Sequence, residues 1–189
     1  MRARSLSHAI GFDDSPFDRA HRGNVRVIGA VFSGERLDGV LAGSVRRDGA
    51  NATRVLAGLI ERSRFRPHLQ LIFLQGIALA GFNVVDIQEL HATTGVPVLA
   101  VARRRPDMAA IERALLERVP GGRRKWRLLR RAGPMEQLAG VWVQRAGLEP
   151  GAAERVIRRF SINSNIPEPL RAAHLIAGAL VTGQSSGRV

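Results

Sequence analysis

Residues 71–86 read LIFLQGIALAGFNVVD, and this stretch decides the fold of the chain. Its first residues are an apolar run, which is typical of a strand buried on both faces of a sheet. A glycine-containing loop and the start of a helix follow, so the carboxylate of Asp86 comes shortly after the end of the strand. The pattern predicts a strand–loop–helix unit that brings an acidic group to one edge of a sheet.

The sequence before this unit predicts three antiparallel strands. Residues 25–33 (VRVIGAVFS) are rich in β-branched side chains, and residues 37–45 alternate weakly between apolar and polar positions. A shorter, partly apolar run at residues 7–12 precedes them. These runs predict a meander, and the apolar spacing in residues 51–64 predicts a helix after it, with Asn51 as the N-cap.

The sequence after this helix changes to alternating strands and helices. The predicted elements are a strand at 69–74, a helix at 82–93, a strand at 96–102, a helix at 107–118, a basic loop with a short strand at 120–134, a strand at 140–144 and helices at 150–160 and 167–181. Strand–helix alternation implies right-handed crossovers and parallel pairing. The order is that of an α/β ribonuclease H-like mixed sheet, three antiparallel strands and then parallel ones, with flanking helices. We expect one domain over residues 1–189, with the C-terminal helices at 150–182 packed on its core.

The composition favours an anionic partner. The chain has 29 basic and 16 acidic residues, a net charge of +13, and Lys125 is its only lysine. Such a charge favours nucleic acid, DNA first, ahead of an anionic membrane. The absence of cysteine excludes disulfides, thiolate catalysis and zinc–thiolate sites. The N-terminus lacks a signal-peptide core and the apolar run at 175–181 is too short for a bilayer, so we expect a soluble cytoplasmic protein with no membrane partner.

Acidic residues follow three of the predicted strands: the pair Asp13 and Asp14, then Asp48, then Asp86. The first, third and fourth strands run the same way, so their carboxyl ends share one edge of the sheet, here called the rim. Open α/β sheets usually bind ligands there. Carboxylates gathered at the rim can hold Mg²⁺ or Mn²⁺ against a phosphodiester, although Asp48 must lean inward across two strand spacings of roughly 4.8 Å each. The alternative is that each acid belongs to an ordinary turn or helix start.

Polar and basic residues elsewhere are further candidates. Arg171 and His174 share one face of the last predicted helix, so His174 is either a functional group or a structural histidine with a buried partner. Two basic segments are expected to bind phosphates and stack on a base, or else to form a solvated charged surface. Their residues are Arg103, Arg104, Arg105, Arg123, Arg124, Lys125 and Trp126, and Arg171 of the last helix is also expected to bind nucleic acid.

Five segments of the chain together resemble a known family. They are GFDDSPF, RRDGANAT, LQGIALAGFNVVDI, TGVPVLAVARRRPD and IPEPLRAAHLIAGALVTGQSSGR. The chain resembles the mainly archaeal endonuclease dU family, which is similar to endonuclease V at a distance, and the resemblance covers nearly the whole sequence. The resemblance implies a ribonuclease H-like fold and a Mg²⁺- or Mn²⁺-dependent endonuclease of DNA repair that acts on deaminated bases, deoxyuridine in particular.

The resemblance also implies roles for particular residues. The matching acids, Asp13, Asp14, Asp48 and Asp86, would bind the metal. Asp13, Asp48 and Asp86 would be catalytic, and we add His174 to them as a catalytic candidate.

The chain departs from the family pattern at two positions. Asn51 stands where the family usually has the second aspartate of D-G-x-D-A-T, and Gln75 stands where endonuclease V-like enzymes have a metal-binding aspartate. Together with Asn83 of the GFN segment, these residues are expected to support the acids. The lost charges predict weaker metal binding. Two other functions stay open: a non-catalytic nucleic-acid-binding module on the same fold, and a small-molecule or nucleotide-binding protein whose carboxylates form a polar pocket.

Overall fold

The strands form one large sheet and one small one in residues 6–185, the part of the chain that the computed structural model describes. The strands of the large sheet are β1 (His8–Asp14), β2 (Asn24–Ser33), β3 (Arg36–Arg46), β4 (Leu71–Gln75), β7 (Val98–Ala102), β8 (Glu136–Leu138) and β9 (Val141–Ala146). Their spatial order is β3-β2-β1-β4-β7-β9-β8. The small sheet pairs β5 (Ala78–Leu79) with β6 (Asn83–Val84).

The pairing of the strands confirms the predicted ribonuclease H-like mixed sheet. β1, β2 and β3 pair antiparallel, whereas β4 pairs parallel with β1 and β7 pairs parallel with β4. β9 then pairs antiparallel with β7 and carries the short edge strand β8. The β-branched run of β2 and the apolar run of β4 therefore belong to one sheet, and the carboxyl ends of β1, β4 and β7 lie together.

Helices cover both faces of the sheet. They are α1 (Ala52–Glu61), α2 (Ile87–Thr94), α3 (Met108–Arg118), α4 (Gly122–Arg131), α5 (Pro150–Phe160) and α6 (Glu168–Thr182). Alternate residues of β1 and β4 divide the core: Ile10 and Phe12 pack with α1 and α2, whereas Ala9 and Phe73 pack with α5 and α6. Within residues 6–185, no helix combines the length and apolar character needed to cross a membrane.

Two predicted elements were wrong. Residues 120–134, interpreted as a basic loop with a short strand, contain the ten-residue helix α4, because Gly122, Lys125 and Leu129 form a buried stripe at helical spacing. Arginine, lysine and leucine also favour helix. The helix predicted at 82–93 begins only at Ile87, because Asn83 is paired in β6 and the Asp86 carboxylate caps the first turn.

Candidate functional site at the rim of the sheet

The register of β1 and β4 places Asp13 beside Gln75 at the rim. Phe12 is opposite Leu74 in this parallel pair, so the next residues of the two strands are neighbours. Side chains alternate between the faces of a sheet, and Phe12 and Leu74 face α1 and α2. Asp13 and Gln75 therefore share the opposite face, which α6 covers.

Asp13 is paired with His174 of α6. The Asp13 Oδ2 atom lies 2.8 Å from the His174 Nδ1 atom, and Asp13 is only 6% exposed. Gly11 allows this approach, because a Cβ there would collide with the backbone of Pro169 at the start of α6. The structure thus brings together two predicted catalytic residues that are 161 positions apart in the chain.

The protonation of this pair follows from its environment. Burial raises the pKa of the Asp13 carboxyl, and the hydrogen bond and charge of His174 oppose that rise. When Asp13 is ionised, it can only accept, so the imidazole hydrogen must be on Nδ1. The other ring nitrogen, Nε2, then carries a lone pair and can accept a hydrogen bond.

Asp14 faces the opposite side of the sheet from Asp13. Its carboxylate accepts a hydrogen bond from the main chain of Ala80, which lies in the loop between β5 and β6. Burial, followed by repulsion from the Asp13 charge, raises the pKa of Asp14 to about 6. The two acids are adjacent in the sequence, yet they reach different surroundings because of the two-residue period of the strand.

Asp48 binds the same loop that contacts Asp14. Its N–H donates to the Ala80 carbonyl at 2.9 Å, and its Oδ1 atom accepts from the Phe82 N–H at 2.8 Å. Gly81 has a φ of +82°, and a Cβ at this position would collide with Asp48 Oδ1. The loop residues Ala80, Gly81 and Phe82, here called the Ala80 loop, therefore hold the Asp48 carboxylate through backbone groups.

Asp86 is engaged in structural contacts. Its Oδ1 atom accepts from the N–H groups of Gln88 and Glu89 and so caps α2, and its Oδ2 atom accepts from Arg131 at 2.8 Å. Asp86 is 4% exposed. These contacts agree with the alternative interpretation of the sequence, in which Asp86 is an acid at the start of a helix.

The predicted supporting residues Asn51 and Asn83 form a hydrogen-bonded pair. Asn83 Nδ2 donates to Asn51 Oδ1 at 2.7 Å and to the Arg46 carbonyl at 2.8 Å. Asn51 occupies the predicted N-cap position of α1, but its side chain makes no hydrogen bond to the helix. The capping hydrogen bond comes instead from Asn83, 31 residues away, whose Oδ1 atom accepts from the Ala52 N–H.

A cavity of about 270 Å³ lies between these groups and α4. Asp48 and Asp86 both line it, and Thr53, Glu89, Arg124 and Lys125 complete its polar wall. Asp13 lies outside this lining, in its pair with His174. Over residues 6–185 no group of three or more His, Cys, Asp or Glu side chains is placed to hold a metal ion, so the expected convergence of Asp13, Asp48 and Asp86 on one cation is not seen.

The predicted nucleic-acid-binding residues differ in exposure. Arg103, Arg104 and Arg105 are exposed directly after β7, at the rim, and the Arg105 guanidinium lies 5.3 Å from the centre of the Trp142 ring. In α4 the side chains of Arg123 and Arg124 are exposed, and Trp126 is half-buried against the apolar side of the helix. Arg171 is paired with Glu168 on α6 at 2.7 Å.

Lys125 does not fit its predicted role as a phosphate contact. It is 4% exposed, and its Nζ atom donates to the main-chain carbonyl of Asp48. The helical spacing of α4 turns this one cation inward while the neighbouring arginines face outward.

Some contributors to the site escaped the sequence analysis. Arg131, which binds Asp86, and the backbone of the Ala80 loop, which holds Asp48, were not singled out as partners of the acids. For the first, the spacing of Lys125 and Leu129 indicated the helix that carries Arg131 but not its contact with Asp86. The glycine in GFN was a signal for the second, since a left-handed glycine often marks a close approach of the backbone.

Comparisons with known proteins agree with this architecture. A family model described as endonuclease dU matches residues 5–181. A UPF0215 protein of Deinococcus radiodurans is 60% identical over 183 residues, which cover 97% of this chain and 93% of that protein. A crystal structure of a protein of unknown function from Archaeoglobus fulgidus is 36% identical with a TM-score of 0.87, over 94% of this chain and 99% of that one.

A more distant structure shares the fold. Endonuclease V of Ciona intestinalis, in complex with DNA that contains an inosine, has a TM-score of 0.55 and 13% identity. The match covers 88% of this chain and 82% of that one.

Proposed function

The chain belongs to the endonuclease dU family, and on that premise we propose that it is a divalent-metal-dependent endonuclease that hydrolyses phosphodiesters in DNA containing deaminated bases, deoxyuridine in particular. The observation that carries the proposal is the Asp13–His174 pair beside Gln75 at the rim. This placement combines a buried carboxylate, a histidine and an amide oxygen at the carboxyl ends of parallel strands, where α/β sheets bind their ligands.

The residues at this end of the sheet fit a hard cation. Mg²⁺ binds through one or two carboxylates and keeps several waters or phosphate oxygens, so it does not need a cage of protein ligands. Among the described residues, Gln75 has a buried Oε1 atom without a hydrogen-bond partner. Asp13 and Gln75 would hold the metal on their shared face, and Asp14 adds negative charge from the adjacent position. A bound divalent cation supplies a lowered water pKa and offsets charge on the scissile phosphate.

The protein's own groups supply proton transfer and substrate binding. Asp13 orients the imidazole of His174, whose side chain is 32% exposed, and the Nε2 atom of this imidazole would serve as the proton acceptor or donor for the reaction. The exposed arginines after β7 and on α4 bind the phosphate backbone, which suits their bidentate geometry. The DNA in the Ciona endonuclease V structure supports a nucleic-acid substrate on this fold.

A cleavage assay tests the proposal. Two labelled duplexes that differ only in one uracil in place of thymine are incubated with the protein, with Mg²⁺ or with a chelator. We expect cleavage of the uracil duplex with Mg²⁺ only, and loss of that cleavage in Asp13→Asn. A matched control is Asp18→Asn, which makes the same charge change at an exposed loop position. Absence of cleavage at millimolar Mg²⁺ and Mn²⁺ contradicts the proposal.

Two observations favour a second candidate function, a non-catalytic nucleic-acid-binding module. Gln75 is neutral at a position where an acid would strengthen the cation site, and the described residues lack a cluster of three metal-binding side chains. Such a module would bind DNA with a steep salt dependence but would not cut it. Binding without cleavage, in the presence of either metal, would establish this function instead.

A further inference from the structure

The backbone of Asp48 has a conformation that few residues other than glycine adopt. Its φ is +50°, in the left-handed region, although it carries a side chain. Residues other than glycine keep this conformation only where the surrounding structure holds them in place, and such positions concentrate at functional sites. The groups that hold Asp48 therefore control where its carboxylate points.

Four contacts hold Asp48, and three of them come from nearby loops. Its N–H donates to Ala80 and its Oδ1 atom accepts from Phe82, as described above, while its Oδ2 atom lies 3.3 Å from the Nε atom of Arg47. The fourth contact comes from a helix: Lys125 Nζ donates to the Asp48 carbonyl at 2.5 Å. That hydrogen bond restrains the peptide unit immediately after the left-handed residue.

The surroundings of Lys125 favour this contact. It is the only lysine of a chain that otherwise uses arginine, and it lies on the buried face of α4 with Gly122 and Leu129. A Cβ at Gly122 would collide with the Leu115 carbonyl, so α3 and α4 pack backbone to backbone next to it. An ammonium is a compact donor, whereas the planar guanidinium of arginine is larger and directs its donors in a fork. Burial lowers the pKa of Lys125, and the charge of Asp48 opposes that change.

We infer that Lys125 is a positioning residue for Asp48: its ammonium holds the Asp48 carbonyl and thereby the left-handed turn that directs the carboxylate into the cavity at the rim. Lys125 does not contact the nucleic acid. The inference deepens the proposed function, because the contact matters to catalysis only if Asp48 serves the reaction. The structural part of the inference, that Lys125 holds the turn at Asp48, is independent of that reaction.

The structural content is tested by amide hydrogen exchange on the intact protein. Lys125→Met removes the donor and keeps an unbranched side chain that favours helix. A hydrogen bond from a charged donor changes the equilibrium between the closed and the locally opened state by a factor of about 10 to 100. We therefore expect exchange at the Asp48 and Phe82 amides to become faster by about that factor. Arg127→Met, with the same charge change on the exposed face of α4, should leave both amides as in the wild type.

The functional content is tested by cleavage of the uracil duplex. Lys125→Met should lower kcat with KM for DNA nearly unchanged. It should also keep the wild-type slope of log affinity for DNA against log salt. Arg127→Met should flatten that slope by about 0.9, the amount lost with one phosphate contact.

The outcomes separate this inference from the proposed function. Unchanged exchange at the Asp48 and Phe82 amides in Lys125→Met overturns the inference, and so does a flattened salt slope, which would make Lys125 a phosphate contact. If Lys125→Met does not fold, Lys125→Ala, which also removes the donor and favours helix, is measured in its place, and the absence of faster exchange at both amides overturns the inference equally. A wild-type protein that cleaves nothing contradicts the proposed function and leaves the exchange result to decide the role of Lys125.

Discussion

Replacing Asp14 by asparagine should stabilise the metal-free protein at neutral pH and leave its stability nearly unchanged below pH 4. Burial and the neighbouring Asp13 charge raise the pKa of Asp14 from its ordinary value of 3.8 to about 6. The folded protein therefore binds a proton at Asp14 more tightly than the unfolded chain does. As the pH rises from about 4 to about 6, the wild type loses free energy of unfolding, and the loss is complete above pH 7.

The size of the effect follows from the pKa values. A rise from 3.8 to about 6 corresponds to about 3 kcal/mol, because one pKa unit is worth about 1.4 kcal/mol. Asparagine keeps an oxygen that can accept from the Ala80 main chain, so the substitution removes the charge and retains that contact. Asp14→Asn should thus be more stable than the wild type by up to about 3 kcal/mol at pH 7.5.

Urea unfolding at several pH values between 4 and 8 measures this difference. The control is Asp18→Asn, whose exposed side chain lies in the loop after β1 and loses the same charge. Its difference from the wild type should stay close to zero across the range. Equal stability of Asp14→Asn and the wild type at pH 7.5, or a difference that does not depend on pH, would contradict the prediction. Ionisation of Asp14 would then not lower the free energy of unfolding.

Three further predictions concern other parts of the site. Gly81→Ala should destabilise the protein by about 1–3 kcal/mol, because its φ is +82° and its Cβ would collide with a carboxylate oxygen; in the same urea assay Gly34→Ala, at φ +60° with nothing within 4 Å, should cost less, and equal losses would contradict the steric cause. Gln75→Asp should lower the Mg²⁺ concentration that gives half-maximal cleavage, since ligand charge raises affinity for hard cations, and an unchanged metal requirement would place the cation elsewhere. Double replacement of Arg123 and Arg124 by glutamine should flatten the salt dependence of DNA binding by about 1.8, or about 0.9 per phosphate contact, and a slope equal to that of the wild type would mark a solvated surface.

The order of secondary structure, and with it the rim, was determined by the sequence. The β-branched run in β2, the continuous apolar residues in β4 and β7 and the helices between them are local patterns, and each reflects how a side chain sits on its own strand or helix. Parallel crossovers then place the ends of β1 and β4 on one edge. The position of Asp13 at that edge can therefore be predicted without knowing which residues it contacts.

The helix α4 shows where local reading of the sequence failed. Its charges outnumber its apolar residues, so the segment resembled a solvated loop, although Lys125 and Leu129 already had the spacing of one helix face. The helical period was present in the sequence, but the high charge of the segment favoured the wrong interpretation. The same period separates the exposed arginines from the buried lysine.

The partners of the acids were decided only by the tertiary structure. His174 is 161 residues from Asp13, Lys125 is 77 residues from Asp48 and Arg131 is 45 residues from Asp86. Sequence spacing carries no distance across such intervals, because the contacts arise when helices pack against the finished sheet. Asp13 and Asp14 came to different environments through the strand's alternation, and Asp86 became a helix cap bound to Arg131. Which acids face one another depends on packing between elements, whereas which edge they occupy depends on the order of the elements along the chain.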